Sequence, residues 1–509
     1  MPSYLSPGIY PRETDFSFYV KQLSTSACGM IGIAEKGHIH EPTLVTSWEQ
    51  FLRAFGGYLA AGYLAYSARA FFDNGGGVLW VTRIAHVTDP TDPTTLTATA
   101  ATVTLKDRHA PAVDTLQVDA LTPGSWGRRL SLTVQEGTRN PDTEFTLVIK
   151  ENGNIVEVFT DLSLDETAAN YVELALNGRS AYLTLTDLHS ASAAPTNRPA
   201  TGTFALTGGD DGLTGLTDQD FIGDPGVHSG LYTFDRVEAL NLLCVPGVTT
   251  PDVIVAGLGY AETRKDLLFL ADAPYGVTPQ EALEFRKGAG SYSHAAFESS
   301  YGALYYPWLR ISDPLTNAQK EVPPTGAVAG CIARSDQTAA VWAAPAGITR
   351  GRIRNVLGLG YVTNRSERDV LYPEGVNCIA ALPDAGICLW GQKTLQSQPS
   401  ATDRINVRRL MMHIEKAVAK SSQFVVFEPN LPVTWRALMR LIAPFLQDIK
   451  DNGGLYDFAV QCDEETNTPA IIDRNELVCR VFVKPTKTAE FIELNFILTA
   501  TGGEFKELL

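Results

Sequence analysis

The sequence predicts a multidomain α/β and α+β protein with an α/β middle domain, an inserted β-rich domain, a C-terminal α/β domain and extended arms at both ends. Three observations predict this class. Strand patterns alternate with amphipathic helix patterns in both halves of the chain, the stretch between them is Thr-rich and strand-like, and both ends are apolar and extended. The chain has 509 residues, which is enough for about three domains.

The first half of the α/β middle domain is predicted at residues 21–86. It begins with an apolar strand in CGMIGI, and a helix follows with Ser47 as its N-cap, Gln50 as its capping-box partner and Gly56 as its left-handed stop. A second helix is predicted at 60–72. The glycine-rich turn after it leads into a buried strand, VLWVTRI.

The second half of this domain is predicted at residues 207–345. Strands in EALNLLCV, DLLFLAD and ALYYPWL alternate with helices in PDVIVAGLGYAETR and TPQEALEFRKG. Since strands that alternate with helices are typical of βαβ units, we expect a largely parallel sheet.

The β-rich domain is predicted at residues 87–206, inserted into a loop of the α/β domain. Its start is Thr-rich, and TEFTLVIKENGNIVEVFTDL places Asn152 and Gly153 between two alternating strand patterns. An Asn-Gly pair in this setting is a strong signal for a two-residue hairpin.

The C-terminal domain is predicted at residues 346–487. We expect strands in NCIAAL, GICLWG, QFVVF, LYDFAVQ and ELVCRVFV, with helices at 403–420 and 434–450. Pro444 lies within the second helix and leaves the Arg440 carbonyl without its helical partner, so a bend or an end is predicted near residue 440.

Both ends of the chain are predicted to be extended arms, at residues 1–20 and 488–509. Prolines in the first arm exclude a helix or a central strand. The apolar residues singled out in that arm are Tyr4, Leu5, Ile9 and Tyr10. In the second arm, alternation places on one face of a strand Ile492, Leu494, Phe496 and Leu498.

Composition and charge exclude several classes of function. The chain carries 41 Lys and Arg against 57 Asp and Glu, a formal net charge of −16, so we expect no direct nucleic-acid partner. The start has no signal-peptide pattern and no apolar run reaches about 18 residues, so neither secretion nor membrane insertion is expected. Seven cysteines are widely spaced without a C-x-x-C pair, which predicts reduced core thiols made in a cytoplasm.

The sequence contains no constellation that would support catalysis or a cofactor. It lacks a phosphate loop ending in Lys-Ser or Lys-Thr, a G-x-S-x-G elbow and an H-E-x-x-H motif. His38 and His40 are interpreted as loop histidines, and the acidic runs at 210–211 and 463–465 as solvated turns. We therefore expect no enzyme activity, no metal and no cofactor.

One local charge asymmetry marks a candidate binding surface. Residues 404–450 contain eight Lys and Arg against three acids. In the second helix of this segment, residues at helical spacing define a buried face, predicted to comprise Trp435, Leu438, Ile442, Phe445 and Ile449. The opposite side carries a polar stripe of Arg436, Arg440, Gln447 and Lys450. This stripe could bind an acidic partner or could be an ordinary solvated helix face.

A dozen collinear motifs resemble the sheath protein family of contractile phage tails and of phage-like contractile injection systems. The resemblance spans nearly the whole chain and is weakest in the inserted domain. The motifs that carry it are YLSPGIY, WEQFLRAFGG, AYSARAFFDNGGGVLWVTRI, LTGGDDG, ALNLLCVPGV, YGALYYPWLRISDP, VPPTGAVAGCIARSDQTAAVWAAPAG, PEGVNCI, GICLWGQKTL, INVRRLMMHIEKAV, QFVVFEPN and RNELVCRVFVKPTKTAEFIELNF. Pro11 departs from the family's usual start.

The resemblance implies a structural subunit that polymerises into six-fold rings stacked helically around an inner tail tube protein and contracts to drive the tube through a cell envelope. It also implies baseplate and tail terminator partners, location in the virion tail and assembly in the host bacterial cytoplasm. Sheaths of this family place the C-terminal domain against the tube and the inserted domain outside, and their arms pair with neighbouring subunits. The polar stripe would then face the tube.

Three alternatives stay open from the sequence. The chain could form the sheath of a capsid-less injection particle, it could belong to an unrelated structural assembly, or its α/β domain could serve a nucleotide-dependent enzyme. A nucleotide titration separates the last alternative from the others.

Overall fold

The computed structural model describes residues 24–493. These residues form two compact units, which we call the body (residues 24–423) and the C-terminal unit (residues 424–493). Mixed α/β composition with several sheets is confirmed for the chain as a whole.

The strands are β1 (Cys28–Gly32), β2 (Thr43–Val45), β3 (Leu79–Arg83), β4 (Thr99–Lys106), β5 (Asp114–Ala120), β6 (Leu130–Glu136), β7 (Phe145–Glu151), β8 (Asn154–Leu162), β9 (Leu183–Asp187), β10 (Gly202–Ala205), β11 (Thr207–Asp210), β12 (Leu242–Cys244), β13 (Leu268–Asp272), β14 (Gly302–Tyr306), β15 (Leu309–Ser312), β16 (Gln319–Val322), β17 (Gly358–Leu359), β18 (Val376–Leu382), β19 (Gly386–Leu389), β20 (Leu455–Gln461) and β21 (Arg480–Pro485). The α-helices are α1 (Trp48–Phe55), α2 (Leu64–Asp73), α3 (Val172–Leu176), α4 (Asp218–Ile222), α5 (Pro251–Arg264), α6 (Pro279–Lys287), α7 (Thr325–Thr338), α8 (Gly347–Arg350), α9 (Arg365–Leu371), α10 (Ile405–Ser421), α11 (Pro432–Asp451) and α12 (Pro469–Ile472).

The body is built on an eight-stranded sheet in the order β19-β18-β14-β13-β12-β1-β3-β2. All neighbours in it are parallel except the two edge pairs, β18 with β19 and β2 with β3. Apolar clusters cover both faces of this sheet, which is why its central strands are continuous apolar runs rather than alternating ones. The predicted largely parallel sheet is confirmed.

The first helix shows how local signals fix element ends. Ser47 Oγ accepts from the backbone N–H of Gln50 at 3.2 Å, as predicted, and Gly56 ends α1 with a φ of 81°. The reciprocal half of the capping box is wrong, because Gln50 Oε1 accepts from the backbone N–H of Thr46 at 2.8 Å instead. The second helix begins at Leu64 rather than at residue 60.

The residues between β3 and α4 contain two four-stranded antiparallel sheets, ordered β10-β6-β7-β8 and β11-β4-β5-β9. A separate apolar cluster, which includes Leu132 and Leu147, lies within this part of the body. The predicted hairpin is confirmed, since Glu151 pairs with Asn154. Asn152 and Gly153 have φ values of 49° and 82°, the positive values that a tight hairpin turn demands.

The predicted start of the C-terminal domain at residue 346 does not coincide with a boundary between the compact units of the structure, which divide at residue 423. Strand β18 pairs in parallel with β14, and residues up to 423 belong to the body. Helix α10 is tied to α7 by Arg409, whose guanidinium bonds both oxygens of Asp336 at 2.6 and 2.7 Å. The apolar pattern of β18 predicts a buried strand but does not specify the sheet that it joins.

The C-terminal unit pairs the long helix α11 with the antiparallel strands β20 and β21. Of the bend or end predicted near residue 440, the end is wrong, since α11 continues to Asp451 through the exposed Pro444. The Arg440 carbonyl on this exposed side can bond water instead. The segment QFVVF is not a strand, because residues 422–425 form a 3₁₀ turn. Residues 490–493, where the last strand was predicted to begin, contain no strand either.

All seven cysteines are free thiols, six of them buried and Cys479 half-buried. Burial raises the pKa of the Cys331 thiol to about 11 and that of the Cys378 thiol to about 12. The predicted core location is confirmed for six of the seven thiols, and their reduced state stays a prediction. Among residues 24–493, no helix has both the length and the apolar character that a membrane span requires.

Candidate functional site

The polar stripe predicted on the second C-terminal helix lies on α11, and its first half is open to solvent. Arg436 and Arg440 are both exposed and stand one helical turn apart on the same side. Within residues 24–493 neither guanidinium has an acidic partner. Two uncompensated positive charges therefore project from this face of the helix.

The second half of the stripe is engaged within the C-terminal unit. Gln447 Nε2 donates to Asp451 Oδ1 at 2.6 Å, and Lys450 Nζ donates to Asp457 Oδ1 on β20 at 2.8 Å. The Lys450 ammonium holds the pKa of the Asp457 carboxyl below its usual range. The four predicted residues therefore differ: both arginines are available, whereas Gln447 and Lys450 already have partners.

The buried face of α11 follows the predicted period with one correction. Trp435, Leu438, Ile442 and Ile449 are buried as predicted, but Phe445 is half-buried. Leu441 and Leu446 are buried instead. The buried face of α11 is therefore wider than the narrow stripe of residues that the helical spacing predicted.

Most of the basic excess of residues 404–450 is neutralised inside the body. Arg409 binds Asp336, Lys416 Nζ lies 2.8 Å from Asp266 Oδ2, and Lys420 Nζ lies 3.3 Å from Glu238 Oε2. Arg404 pairs with Asp403, while Arg408 stacks on Tyr301. The charge asymmetry in the sequence therefore overstates the positive surface, which in this segment reduces to Arg436 and Arg440.

The sequence reasoning missed an exposed apolar surface on the C-terminal unit. Val426 and Phe427, predicted within a strand, are exposed, and Phe427 has a φ of 72° and is not covered by any residue in the range 24–493. Tyr456 on β20 and Phe482 on β21 are 64% and 55% exposed. The apolar composition of QFVVF does not predict this exposure, because an apolar pattern does not specify the partner that would cover it.

The predicted arm residues fall largely beyond the part of the chain that the structure describes. Those outside it are Tyr4, Leu5, Ile9, Tyr10, Leu494, Phe496 and Leu498. Ile492 is described and is 77% exposed. Within residues 24–493, no three His, Cys, Asp or Glu side chains are grouped so that they could hold a metal ion.

Comparison with known proteins identifies the family to which a chain with these exposed surfaces belongs. The family profile of the phage tail sheath protein central domain matches residues 230–395. The profile of the phage tail sheath C-terminal domain continues at residues 397–499, and the two together cover more than half of the chain. The chain belongs to the phage tail sheath family.

Curated relatives within the sheath family include proteins of two phages. The tail sheath protein of Vibrio phage KVP40 is 30% identical over 402 residues, which cover 72% of this chain and 57% of that protein. The tail sheath protein of Enterobacteria phage T4 is 37% identical over 257 residues, which cover 48% of this chain and 39% of that protein. The chain thus aligns with about half the length of these sheath proteins.

Solved sheath structures share the fold over almost the full length. The sheath complex of an extracellular contractile injection system, PVC, in its contracted state has a TM-score of 0.59 at 17% identity and covers 98% of this chain and 99% of its own. The crystal structure of the sheath tail protein from Listeria innocua has a TM-score of 0.61 at 12% identity, covering 91% and 96%. At these identities the likeness is one of fold.

Proposed function

We propose that the protein is the structural subunit of a contractile tail sheath, which polymerises helically around an inner tube and contracts to drive that tube through the target cell envelope. Membership of the tail sheath family carries this proposal. The partners would be other copies in stacked six-fold rings, the inner tail tube protein, and the baseplate and tail terminator proteins. Assembly in the host bacterial cytoplasm would end in the virion tail, and no enzymatic step or cofactor is part of the proposal.

A capsid-less contractile injection particle is the second candidate. Injection system sheaths share the fold, but the more similar curated relatives are phage tail sheath proteins, which favours the phage tail. The two candidates share the same mechanics and differ in whether genes for a capsid accompany the sheath gene.

Strand exchange between copies is the proposed basis of polymerisation. Strands β20 and β21 form a two-stranded sheet that packs against α11, and within residues 24–493 no other strand pairs with its edges, which leaves them open to further strands. The apolar arms at residues 1–20 and 488–509 would supply those strands to neighbouring copies, with Tyr456 and Phe482 available on the existing ones. Because each copy would donate at one place and accept at another, the contact is heterologous and generates helices rather than closed dimers.

The proposed arrangement places the C-terminal domain, including α11, against the tube and the β-rich residues 87–206 on the outside. Arg436 and Arg440 would then be the principal tube-facing cations, with Gln447 and Lys450 beside them. Contraction would move folded domains as rigid bodies while the segments that flank the paired arms absorb the rotation. A gain of about 5 kcal/mol per subunit is enough to invert a two-state population, and the copies of a sheath would add such gains.

Electron microscopy of the purified full chain tests the proposed function. We expect hollow cylinders of regular diameter that form in the absence of other proteins, because the contact between copies does not close. Sedimentation velocity should show large polymers in equilibrium with a small fraction of monomer. A protein that stays monomeric at all concentrations up to about 10 mg/ml would contradict the proposal.

Charge reversal on α11 tests the tube-facing role. In cells that also make the tube protein, the double variant Arg436→Glu, Arg440→Glu should raise the ratio of contracted or tube-free sheaths to extended sheaths by about tenfold, because repulsion replaces attraction at the tube. The ratio is measured by counting particles in electron micrographs.

The matched control reverses two exposed arginines of the body, Arg179→Glu and Arg365→Glu, with the same change in net charge. Sheath ratios of this control should equal those of the unaltered protein. If the α11 variant behaves like the control, the proposed tube contact at Arg436 and Arg440 is wrong.

A further inference from the structure

The body carries a further candidate binding surface, which we call the basic basin. It involves neither the arms nor α11. It is an open depression of about 700 Å³ beside the β18–β19 edge of the large sheet. Three arginines line it, Arg334, Arg352 and Arg354, together with the exposed apolar side chains of Ile348 and Leu357. No acidic residue lines the basin.

The backbone of residues 351–354 holds two of these arginines toward solvent. The N–H of Ile353 donates to the Ile387 carbonyl at 2.9 Å, and the N–H of Leu389 donates to the Gly351 carbonyl at 2.8 Å, so this segment pairs with β19. Ile353 is buried. Because side chains alternate along an extended segment, Arg352 and Arg354 on either side of it point away from the core, and both are exposed.

The third arginine, Arg334, is held at the floor of the basin by backbone carbonyls. Arg334 on α7 donates from Nη1 to the Asn74 carbonyl and from Nη2 to the Arg350 carbonyl, each at 3.0 Å. The buried Asn74 side chain in turn accepts from the backbone N–H of Arg354 at 2.8 Å. These bonds hold the three arginines in one place before any partner arrives, which lowers the entropy lost on binding.

The charge of the basin is uncompensated. Across residues 24–493, none of Arg334, Arg352 and Arg354 has a carboxylate within ion-pair distance. Asp73, which bonds the adjacent Asn355, is already paired with Arg69 at 2.9 Å. In a chain of net charge −16, an isolated cluster of cations with apolar flanks fits a carboxylate-rich protein segment.

One segment of the chain has the complementary properties. Asp463, Glu464 and Glu465 are the sole three consecutive acids in the sequence, and all three are exposed. A turn holds them in place, since Asp463 Oδ1 accepts from the backbone N–H groups of Glu465 and Thr466 at 3.0 and 3.2 Å. Within the described part of the chain, this acidic turn, defined as residues 463–465, has no Lys, Arg or His partner.

We infer that the basic basin binds the acidic turn of a second copy of this chain. This inference rests on the proposed function, because it adds a lattice contact to the polymer. Arg–carboxylate pairs with apolar flanks supply charge-assisted bonds and fix register. A contact of this kind also weakens as salt rises, since its charges are solvent-accessible in the separate copies.

Reversal of the charges on either side of the proposed contact, and then on both sides together, tests whether the contact forms. Arg352→Glu with Arg354→Glu should raise the critical concentration for cylinder formation by about tenfold or more, and Asp463→Lys with Glu464→Lys should do the same, because each places like charges together. All four substitutions in one chain should restore assembly to within about threefold of the unaltered protein. Pelleting at several protein concentrations measures the critical concentration, and Arg179→Glu with Arg365→Glu is the charge-matched control.

A peptide-binding measurement tests the contact between basin and acidic turn without requiring that the chain form cylinders. A labelled peptide of residues 458–470 should bind the full chain at low salt, with affinity reduced about tenfold by the basin substitutions and abolished when residues 463–465 of the peptide are lysines. Absence of cylinders in all chains would contradict the proposed function alone. Normal assembly of either double variant, failure of the combined variant to recover, or peptide binding that ignores the basin substitutions would overturn the inference.

Discussion

Deletion of residues 1–20 is expected to abolish cylinder formation while leaving the body folded. The deleted segment is apolar and rich in proline, and a strand that adds to a neighbour's sheet bonds main-chain groups along its whole length. Its removal leaves each copy with the C-terminal arm as its one remaining strand donor, so half of the proposed strand exchange between copies is lost and the polymer cannot propagate. Electron microscopy should show no cylinders, sedimentation should show monomers, and the thermal transition of the body should be retained.

A point variant separates loss of strand donation from loss of folding. Ile9→Pro removes one backbone donor from the arm and fixes φ, whereas Ile9→Val retains both the donor and the preference for an extended backbone. We expect Ile9→Pro to raise the critical concentration for assembly by about tenfold or more and Ile9→Val to leave it within about twofold. Cylinders of ordinary length from the deleted chain, or equal behaviour of the two Ile9 variants, would contradict strand donation by this arm.

Elements with strong local signals were predicted almost to the residue. Helix α5 spans Pro251–Arg264, the same residues as its predicted pattern, because proline at its first position and an apolar period both mark it. The hairpin turn at Asn152 and Gly153 was equally clear. In each case the interactions that decide the element lie within a few residues of one another in the sequence.

Elements that depend on distant partners were predicted as elements but assigned to the wrong neighbours. The apolar run of β18 would suit the interior of any parallel sheet, and its pairing with β14 depends on residues more than 70 positions away. The segment at Val426 and Phe427 is apolar enough for a strand, yet residues 422–425 form a 3₁₀ turn and none of the strands that the structure describes pairs with it. Local apolar pattern predicts burial but does not choose a partner.

The residues of the candidate binding surfaces also divide into those predicted from local pattern and those whose surroundings depend on distant partners. Helical period predicts that Arg436 and Arg440 face outward, and they do. It does not predict that Lys450 bonds Asp457, because that pair joins a helix to a strand. The alternation of Arg352 and Arg354 is visible in GRIRN, but their position beside Arg334, with no acid among them, follows from tertiary structure alone.

The buried ion pair between α10 and α7 is expected to be a major determinant of body stability. Each side chain of the Arg409–Asp336 pair is 3% exposed, and Arg409 also donates to the Thr25 carbonyl at 2.7 Å. Arg409→Met leaves the Asp336 carboxylate buried without its counter-charge, so the free energy of unfolding should fall by about 3–5 kcal/mol. Urea denaturation of the body, followed by its change in tryptophan fluorescence, measures this loss.

Two controls identify the origin of that loss. Lys420→Met removes a cation from the same helix, but its pair with Glu238 is solvent-accessible, so the free energy of unfolding should change by about 1 kcal/mol or less. Arg409→Met combined with Asp336→Leu removes both charges and should recover most of the stability, because no unpaired carboxylate remains in the interior. If Arg409→Met costs no more than Lys420→Met, the pair does not join α10 to α7 in a buried interface.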